Sequence, residues 1–202
     1  MIVSRVSTFD NFMSGAEVSI RVAAELARHP NEQNPISVNT GSIVKKDKHG
    51  IEDVLCIGSI AGDSSLKMED IQVINAKSNS FIAKLKSNFR IIEISTKSRK
   101  PCLVAAPLMN RKLLVHCRGG FLGEDSDRGT DYATLRAAIG QISVLDMLDD
   151  DVVALALPAS NSFRELVSQI QNQMLIRKIG LRFVFVSRGK VEGLSWTQEC
   201  LR

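Results

Sequence analysis

Two segments of the chain repeat apolar residues at the period of an α-helix. In residues 14–29 a stripe recurs every four positions, and it consists of Val18, Val22 and Leu26. In residues 162–177 one helix face is formed by Phe163, Leu166, Val167, Ile170 and Met174. We therefore predict two amphipathic helices, at about residues 14–29 and 162–177.

The predicted helices carry signals at their ends. Ser14 and Glu17 have the spacing of a capping box, and so do Ser162 and Glu165. Gly180 follows the second helix, where it can adopt the left-handed conformation that ends helices. These signals favour helix starts near residues 14 and 162.

Short apolar or alternating runs in the rest of the chain predict strands. They cover residues 42–45, 54–60, 89–95, 103–106, 113–117, 152–157, 181–186 and 191–196. Residues 64–74 fit a helix or extended structure, and a short helix is predicted around 132–139. Since strands follow one another without regular helical crossovers, we expect an α+β fold with a mostly antiparallel β-sheet or a small sandwich.

Length and composition narrow the class of protein. A chain of 202 residues fits a single domain, with residues 1–40, an N-terminal helix and loop, as the candidate for an appendage. Aromatic residues make up 5% of the chain, which argues against a broad stacking platform for bases. The four cysteines form no C-x-x-C pair, which favours a reduced, intracellular protein over a disulfide scaffold. We find neither a signal-peptide pattern nor an apolar run of the ~20 residues that a membrane helix needs.

Charge is distributed unevenly along the chain. Residues 84–118 contain nine Lys or Arg and one acid, whereas residues 124–151 contain eight acids and two Arg. Two interpretations remain open, namely two solvated faces of ordinary polarity or a surface that binds a polyanion.

Candidate catalytic and metal-binding residues are few. His116 and Cys117 are adjacent, and adjacent residues of a strand point to opposite faces, so they are poorly placed to act on one atom. Counted from Asp125, the sixth and twelfth positions are Thr130 and Arg136, where a calcium loop needs Gly and Glu. We therefore predict no catalytic residue, no metal site and no cofactor, and expect a protein that is not an enzyme.

From Cys102 onward, the chain contains a series of short motifs. They are, in order, "LLVHCRGG", Asp127-Arg128, "DYATL", "VVALALP", the helix at 162–177, Gly180 and "LRFVFVSRGKVEGL". Over about residues 102–196, this order of motifs resembles the 30K superfamily of plant viral movement proteins, especially its tobamovirus-like branch. The resemblance implies a protein that binds RNA non-specifically and transports it through plasmodesmata.

This hypothesis assigns roles to particular residues and partners. The partner is single-stranded RNA, bound without sequence preference, and host membrane or cell-wall proteins and a homo-oligomer are further candidates. Phosphate contacts are predicted for Lys84, Lys86, Arg90, Lys97, Arg99, Lys100, Arg111 and Lys112. Asp127 and Gly180 are predicted to be structural, with Asp127 accepting backbone N–H groups at a strand–turn junction. The expected location is the plasmodesma or host cell junction, and otherwise the cytoplasm or a membrane surface.

A second hypothesis fits the helix-then-strand ending of the chain. A matrix-type structural protein of a negative-strand RNA virus would self-associate and bind the membrane peripherally. It predicts concentration-dependent oligomers and binding to anionic lipid.

Overall fold

The fold is built on one wide mixed sheet. The computed structural model describes residues 11–28, 34–40, 72–77, 80–86, 90–95, 101–108, 111–123, 127–143 and 151–195, and for 72–77 and 80–86 it describes the backbone. The strands are β1 (Phe12–Met13), β2 (Ile36–Asn39), β3 (Gln72–Lys77), β4 (Ser80–Lys86), β5 (Ile91–Ser95), β6 (Leu103–Leu108), β7 (Arg111–Cys117), β8 (Gly120–Phe121), β9 (Val152–Pro158), β10 (Arg182–Val186) and β11 (Val191–Glu192). The helices are α1 (Gly15–Ala27), α2 (Arg128–Ile142), α3 (Asn161–Ile170) and α4 (Met174–Lys178).

Most strand pairs in this sheet are antiparallel. Nine of the described strands form it, in the order β11–β10–β9–β7–β6–β2–β5–β4–β3, while β1 and β8 form a separate antiparallel pair. Three neighbouring pairs are parallel: β10 with β9, β9 with β7, and β2 with β5. The prediction of an α+β fold with a mostly antiparallel sheet is therefore confirmed, and the main strands form one sheet rather than a sandwich.

Helix α1 covers one face of the sheet along most of its width. The Ser14 side chain accepts a hydrogen bond from Glu17 N at 3.1 Å, so the predicted helix start is confirmed. The predicted stripe is buried and packs in one core with residues of β2, β5, β6, β7, β9 and β10. Strand β2 pairs with both β5 and β6. Helix α1 and strand β2, both within residues 1–40, therefore contribute residues to the central core.

Helices α2 and α3 cover the opposite face of the sheet, over the part that contains β9. The chain runs β7–β8–α2–β9–α3–α4–β10, and β7, β9 and β10 are parallel neighbours. Val153, Leu155 and Leu157 of β9 form a second core with apolar residues of α2 and α3. The expectation of no regular crossovers is wrong here. Helix α2 is longer than the short helix predicted around 132–139, and only four of its fifteen residues are buried.

The second predicted helix divides into two. Helix α3 ends at Ile170 and α4 begins at Met174, with Gln173 extended between them. The Gln173 N–H bonds to the Ile170 carbonyl oxygen, which closes a turn in place of a further helical turn. Met174, predicted to lie on the buried face, is 84% exposed as a result of this break.

The ends of these helices confirm one prediction and correct another. The cap of α3 is Ser160, whose side chain accepts from Phe163 N at 3.1 Å. The predicted capping box of Ser162 and Glu165 is therefore wrong by two residues. Gly180 has a φ of 62° just beyond α4, which confirms the predicted left-handed end.

Several strand predictions coincide with described strands. Residues 89–95, 103–106, 113–117, 152–157 and 181–186 correspond to β5, β6, β7, β9 and β10. Within the open stretch 64–74, residues 72–74 are extended. The predicted 191–196 strand is confined to Val191–Glu192, since Gly193 has a φ of 88°. The predictions at 42–45 and 54–60 fall outside the described residues. In the part of the chain that the structure covers, no helix is long and apolar enough to cross a membrane.

Candidate nucleic-acid interface

Two exposed cations begin strand β7. Arg111 and Lys112 are both exposed, and they pair with Leu108 and Pro107 at the end of β6. From the next residue onward, β7 is buried. The two charges therefore mark the amino-terminal end of β7, where the strand leaves the core.

Strand register places two lysines of β4 at this same end of the sheet. Strands β2 and β5 are parallel to each other, and β2 is antiparallel to β6, so both start at the end where β6 finishes. Strand β4 is antiparallel to β5, with Lys86 opposite Ile91 and Lys84 opposite Glu93. At about 4.8 Å per strand, the four spacings from β7 to β4 amount to about 19 Å. We call Lys84, Lys86, Arg111 and Lys112 the cation rim.

The phosphate contact predicted for Arg90 is wrong. Its side chain is 4% exposed, and its Nε donates to the Asn34 carbonyl oxygen at 3.0 Å. The guanidinium ties the segment before β2 to the start of β5. Because a phosphate must reach its partner from solvent, Arg90 serves the fold rather than the interface.

The remaining three predicted cations, Lys97, Arg99 and Lys100, lie outside the described residues. The described residues thus bring together four of the eight predicted positions.

The face of the sheet beside the rim is partly open to solvent. Ser37 and Ile91 are exposed there, and neighbouring positions of β2, β5 and β6 are half-buried. None of the residues in these three described strands is aromatic. A nucleic acid on this face would therefore find few stacking partners, and recognition would fall to its phosphates.

The described acids of the 124–151 segment lie mostly away from the rim. Asp127 comes after β7 and β8, at the far end of β7, and the seven residues of that strand span about 20 Å. Asp151 is the exception, because Val152 pairs with Leu113 and this puts Asp151 beside Lys112 in register. The rim is thus bounded by an acid on its β9 side and extends from β7 toward β4.

Asp127 is the N-cap of α2. Its carboxylate accepts from Gly129 N at 3.4 Å, and from Thr130 N at 2.9 Å and Thr130 Oγ1 at 2.6 Å. The hydrogen bonds from the Thr130 side chain and backbone, then from Gly129, lower the pKa of Asp127. The junction it holds leads into a helix, which the strand–turn prediction did not include.

The far end of β7 carries a polar cluster of His116, Arg118 and Gln141, of which His116 is buried. His116 is 1% exposed, and burial, then the nearby Arg118 charge, lowers its pKa to about 4. Arg118 donates to the Gln141 side chain. The Gln141 amide lies near the imidazole and opposes the lowering, although neither ring nitrogen makes a hydrogen bond of normal geometry. His116 is therefore neutral near pH 7 and cannot supply positive charge to a polyanion site.

The thiols beside this cluster are poor nucleophiles. Cys117 packs in the core beneath α1, on the opposite face from His116, as adjacent strand residues are expected to do. Its backbone N–H donates to the Cys102 carbonyl oxygen at 2.9 Å across the β6–β7 pair. Burial raises the pKa of both thiols. The described residues contain no group of three or more metal-ligating side chains.

Comparison with known proteins leaves this arrangement to be interpreted on its own geometry. No protein-family model matches the chain, and no curated protein sequence matches it.

Proposed function

We propose that this protein binds single-stranded RNA without sequence preference, through the cation rim, and that it transports the RNA between plant cells as a viral movement protein. The observation that supports RNA binding is the register that aligns Lys84, Lys86, Arg111 and Lys112 at one end of the sheet. Each cation that neutralises a phosphate releases a condensed counterion, which favours binding at low salt.

The transport role is supported by the resemblance of residues 102–196 to the 30K movement proteins. Asp127 and Gly180, both part of that resemblance, occupy a helix cap and a helix end. They contribute to this function by holding the α2 and α4 regions in place.

Salt dependence tests the RNA-binding step. For single strands, log affinity falls with log salt by about 0.7 per neutralised phosphate, so four contacts give a slope of about −3. We expect Arg111→Gln/Lys112→Gln to reduce the magnitude of this slope by about 1.4, with poly(U) as the probe in filter binding.

The matched control is Arg188→Gln/Lys190→Gln, which removes two exposed cations at the other end of the sheet. This control should leave the slope unchanged. A flat salt response of the unaltered protein, or equal loss in the rim and control variants, contradicts phosphate binding at the rim.

Transport is tested separately, by supplying the chain to a movement-defective virus in leaf tissue. Restored spread between cells and puncta that cross the wall support the movement role. Nuclear accumulation or budding, without restored spread, contradicts transport and favours the matrix-type hypothesis.

A further inference from the structure

Helix α4 presents two adjacent apolar side chains to solvent. Met174 is 84% exposed and Leu175 is 51% exposed, the largest values among the exposed large hydrophobic residues of the described chain. The next residue, Ile176, is 3% exposed and packs in the core formed with α2 and α3. The exposed pair is therefore held in place by a buried neighbour.

The turns on both sides of α4 fix this projection. On the amino-terminal side, Gln173 N bonds to the Ile170 carbonyl oxygen at 2.8 Å. On the carboxyl-terminal side, Leu181 N bonds to the Ile176 carbonyl oxygen at 3.2 Å, next to left-handed Gly180. We call Met174 and Leu175 the apolar tip, because the local hydrogen bonds keep both at the surface rather than folding them into the core.

Several positively charged residues follow the apolar tip along the chain. Residues 166–191 contain five Lys or Arg and no acid. Three of these cations, Arg177, Lys178 and Arg182, lie in α4 or at the start of β10, and all three are exposed. Arg177 and Arg182 also line a groove of about 280 Å³ beside α4, together with Gln171, Ile176, Gly180 and Leu181.

The apolar tip and the cation rim lie toward the same end of the sheet. Strand β10 is parallel to β9, and β9 to β7, so the chain enters β10 from α4 at the end where Arg111 begins β7. One end of the molecule thus combines protruding apolar groups with several cations. Exposed apolar groups close to several cations are typical of proteins that dock on anionic lipid.

We propose that the apolar tip inserts into an anionic membrane surface, while Arg177, Lys178 and Arg182 contact lipid headgroup phosphates. Charge excludes a second copy of the chain as the favoured occupant, because a two-fold contact would bring the same cations face to face. The side chains themselves favour lipid over RNA, because Met and Leu have no aromatic face for bases but transfer readily into the acyl boundary.

Vesicle co-sedimentation of the full chain tests the proposal. We expect binding to phosphatidylcholine vesicles that contain phosphatidylserine and none to phosphatidylcholine alone. Met174→Ser/Leu175→Ser should lower the partition coefficient about tenfold or more, with no change in the salt slope for poly(U). Arg177→Gln/Lys178→Gln should lower it about fivefold per cation.

Two controls match the changes in apolar area and charge. Ile91→Ser/Tyr132→Ser removes exposed apolar residues elsewhere, and Arg188→Gln/Lys190→Gln removes two cations at the other end of the sheet. Neither should alter vesicle binding. Met174→Trp should strengthen it, since Trp favours the membrane interface.

Three results overturn the proposal. They are an absence of binding to phosphatidylserine vesicles, unchanged binding by the Met174→Ser/Leu175→Ser variant, and a concentration-dependent dimer in solution that the same variant abolishes. Each is independent of whether the cation rim binds RNA, because the apolar variant leaves every charge in place.

Discussion

The two halves of the sheet are buried in different ways. In the covered half, formed by β7, β9 and β10 with α2 and α3, helices pack on both faces of the sheet. In the open half, formed by β2, β5 and β6, α1 packs on one face, and the other face is partly exposed. Six of the seven residues of β9 are buried, whereas β5 alternates between buried and exposed or half-buried positions.

This difference follows from the way each half is connected. In the covered half, the parallel strands β7, β9 and β10 are joined through helices that lie on the sheet, which favours continuous apolar runs such as "VVALAL". The parallel pair of β2 and β5 in the open half differs, because the described elements between these two strands are β3 and β4. Strand β6 of the open half is antiparallel to both β2 and β7, and such pairs need no crossover helix, which leaves one face free for polar residues. The covered half therefore contributes stability through burial on both faces, and the open half leaves one face of the sheet accessible to solvent.

Core truncation should have its largest effect in the covered half. Phe163 is fully buried, and its ring lies against Gly120, where an added Cβ would come within 2.9 Å of it. Phe163→Ala should lower the free energy of unfolding by about 3–5 kcal/mol, since it leaves a cavity between α3 and the sheet. Urea unfolding followed by circular dichroism measures this loss.

The paired change in the open half is Ile91→Ala. Because Ile91 is 40% exposed, its truncation should alter the free energy of unfolding by about 0.5 kcal/mol or less. Equal losses from the two substitutions would show that the open face is covered in solution and that the contrast between the halves is wrong.

Acid should destabilise the covered half through His116. Its pKa falls from 6.5 in the unfolded chain to about 4 in the fold. Between these values the unfolded chain binds a proton that the folded protein does not, so stability decreases as pH falls through this window. From about pH 7 to about pH 4, the loss from this one group should approach about 3 kcal/mol.

Carboxylates also titrate near the lower end of that window, so the readout is a difference between two proteins. We expect the urea midpoint of the unaltered protein to fall more steeply with acid than that of His116→Gln, which cannot gain the proton. If the urea midpoints of the two proteins changed equally with pH, His116 would have to be solvated or hydrogen-bonded in the folded protein.

The sequence predicted the elements whose pattern is set by their own residues. Helix α1 combines a regular stripe with a cap at Ser14, and β9 is a continuous apolar run, so both were found. Helix α2 was recognised only in part, because its few buried residues depend on contact with α3 and β9. The prediction at 162–177 extended the apolar period through Met174, whereas the chain turns after Ile170.

The sequence could predict the charge imbalance at the candidate site, but not how its cations are arranged in space. The sequence places Lys84, Lys86, Arg111 and Lys112 in one basic stretch, and strand register brings them to one end of the sheet. The same stretch contains Arg90, which the fold buries against a backbone carbonyl oxygen. The burial of Arg90 depends on a contact with a residue far away in the sequence, and neither composition nor periodicity predicts such a contact.

The start of α3 offers the smallest and most local of these tests. Ser160 is fully buried and satisfies the Phe163 N–H, whereas the buried Ser162 Oγ has no hydrogen-bond partner. Ser160→Ala should therefore lower the free energy of unfolding by about 1 kcal/mol. Ser162→Ala, the matched control, should leave stability unchanged or raise it, because it removes a buried hydroxyl that makes no hydrogen bond. Urea midpoints measured side by side would decide between the two serines. A greater loss of stability from Ser162→Ala would instead support the capping box of Ser162 and Glu165, with α3 starting two residues later in the chain.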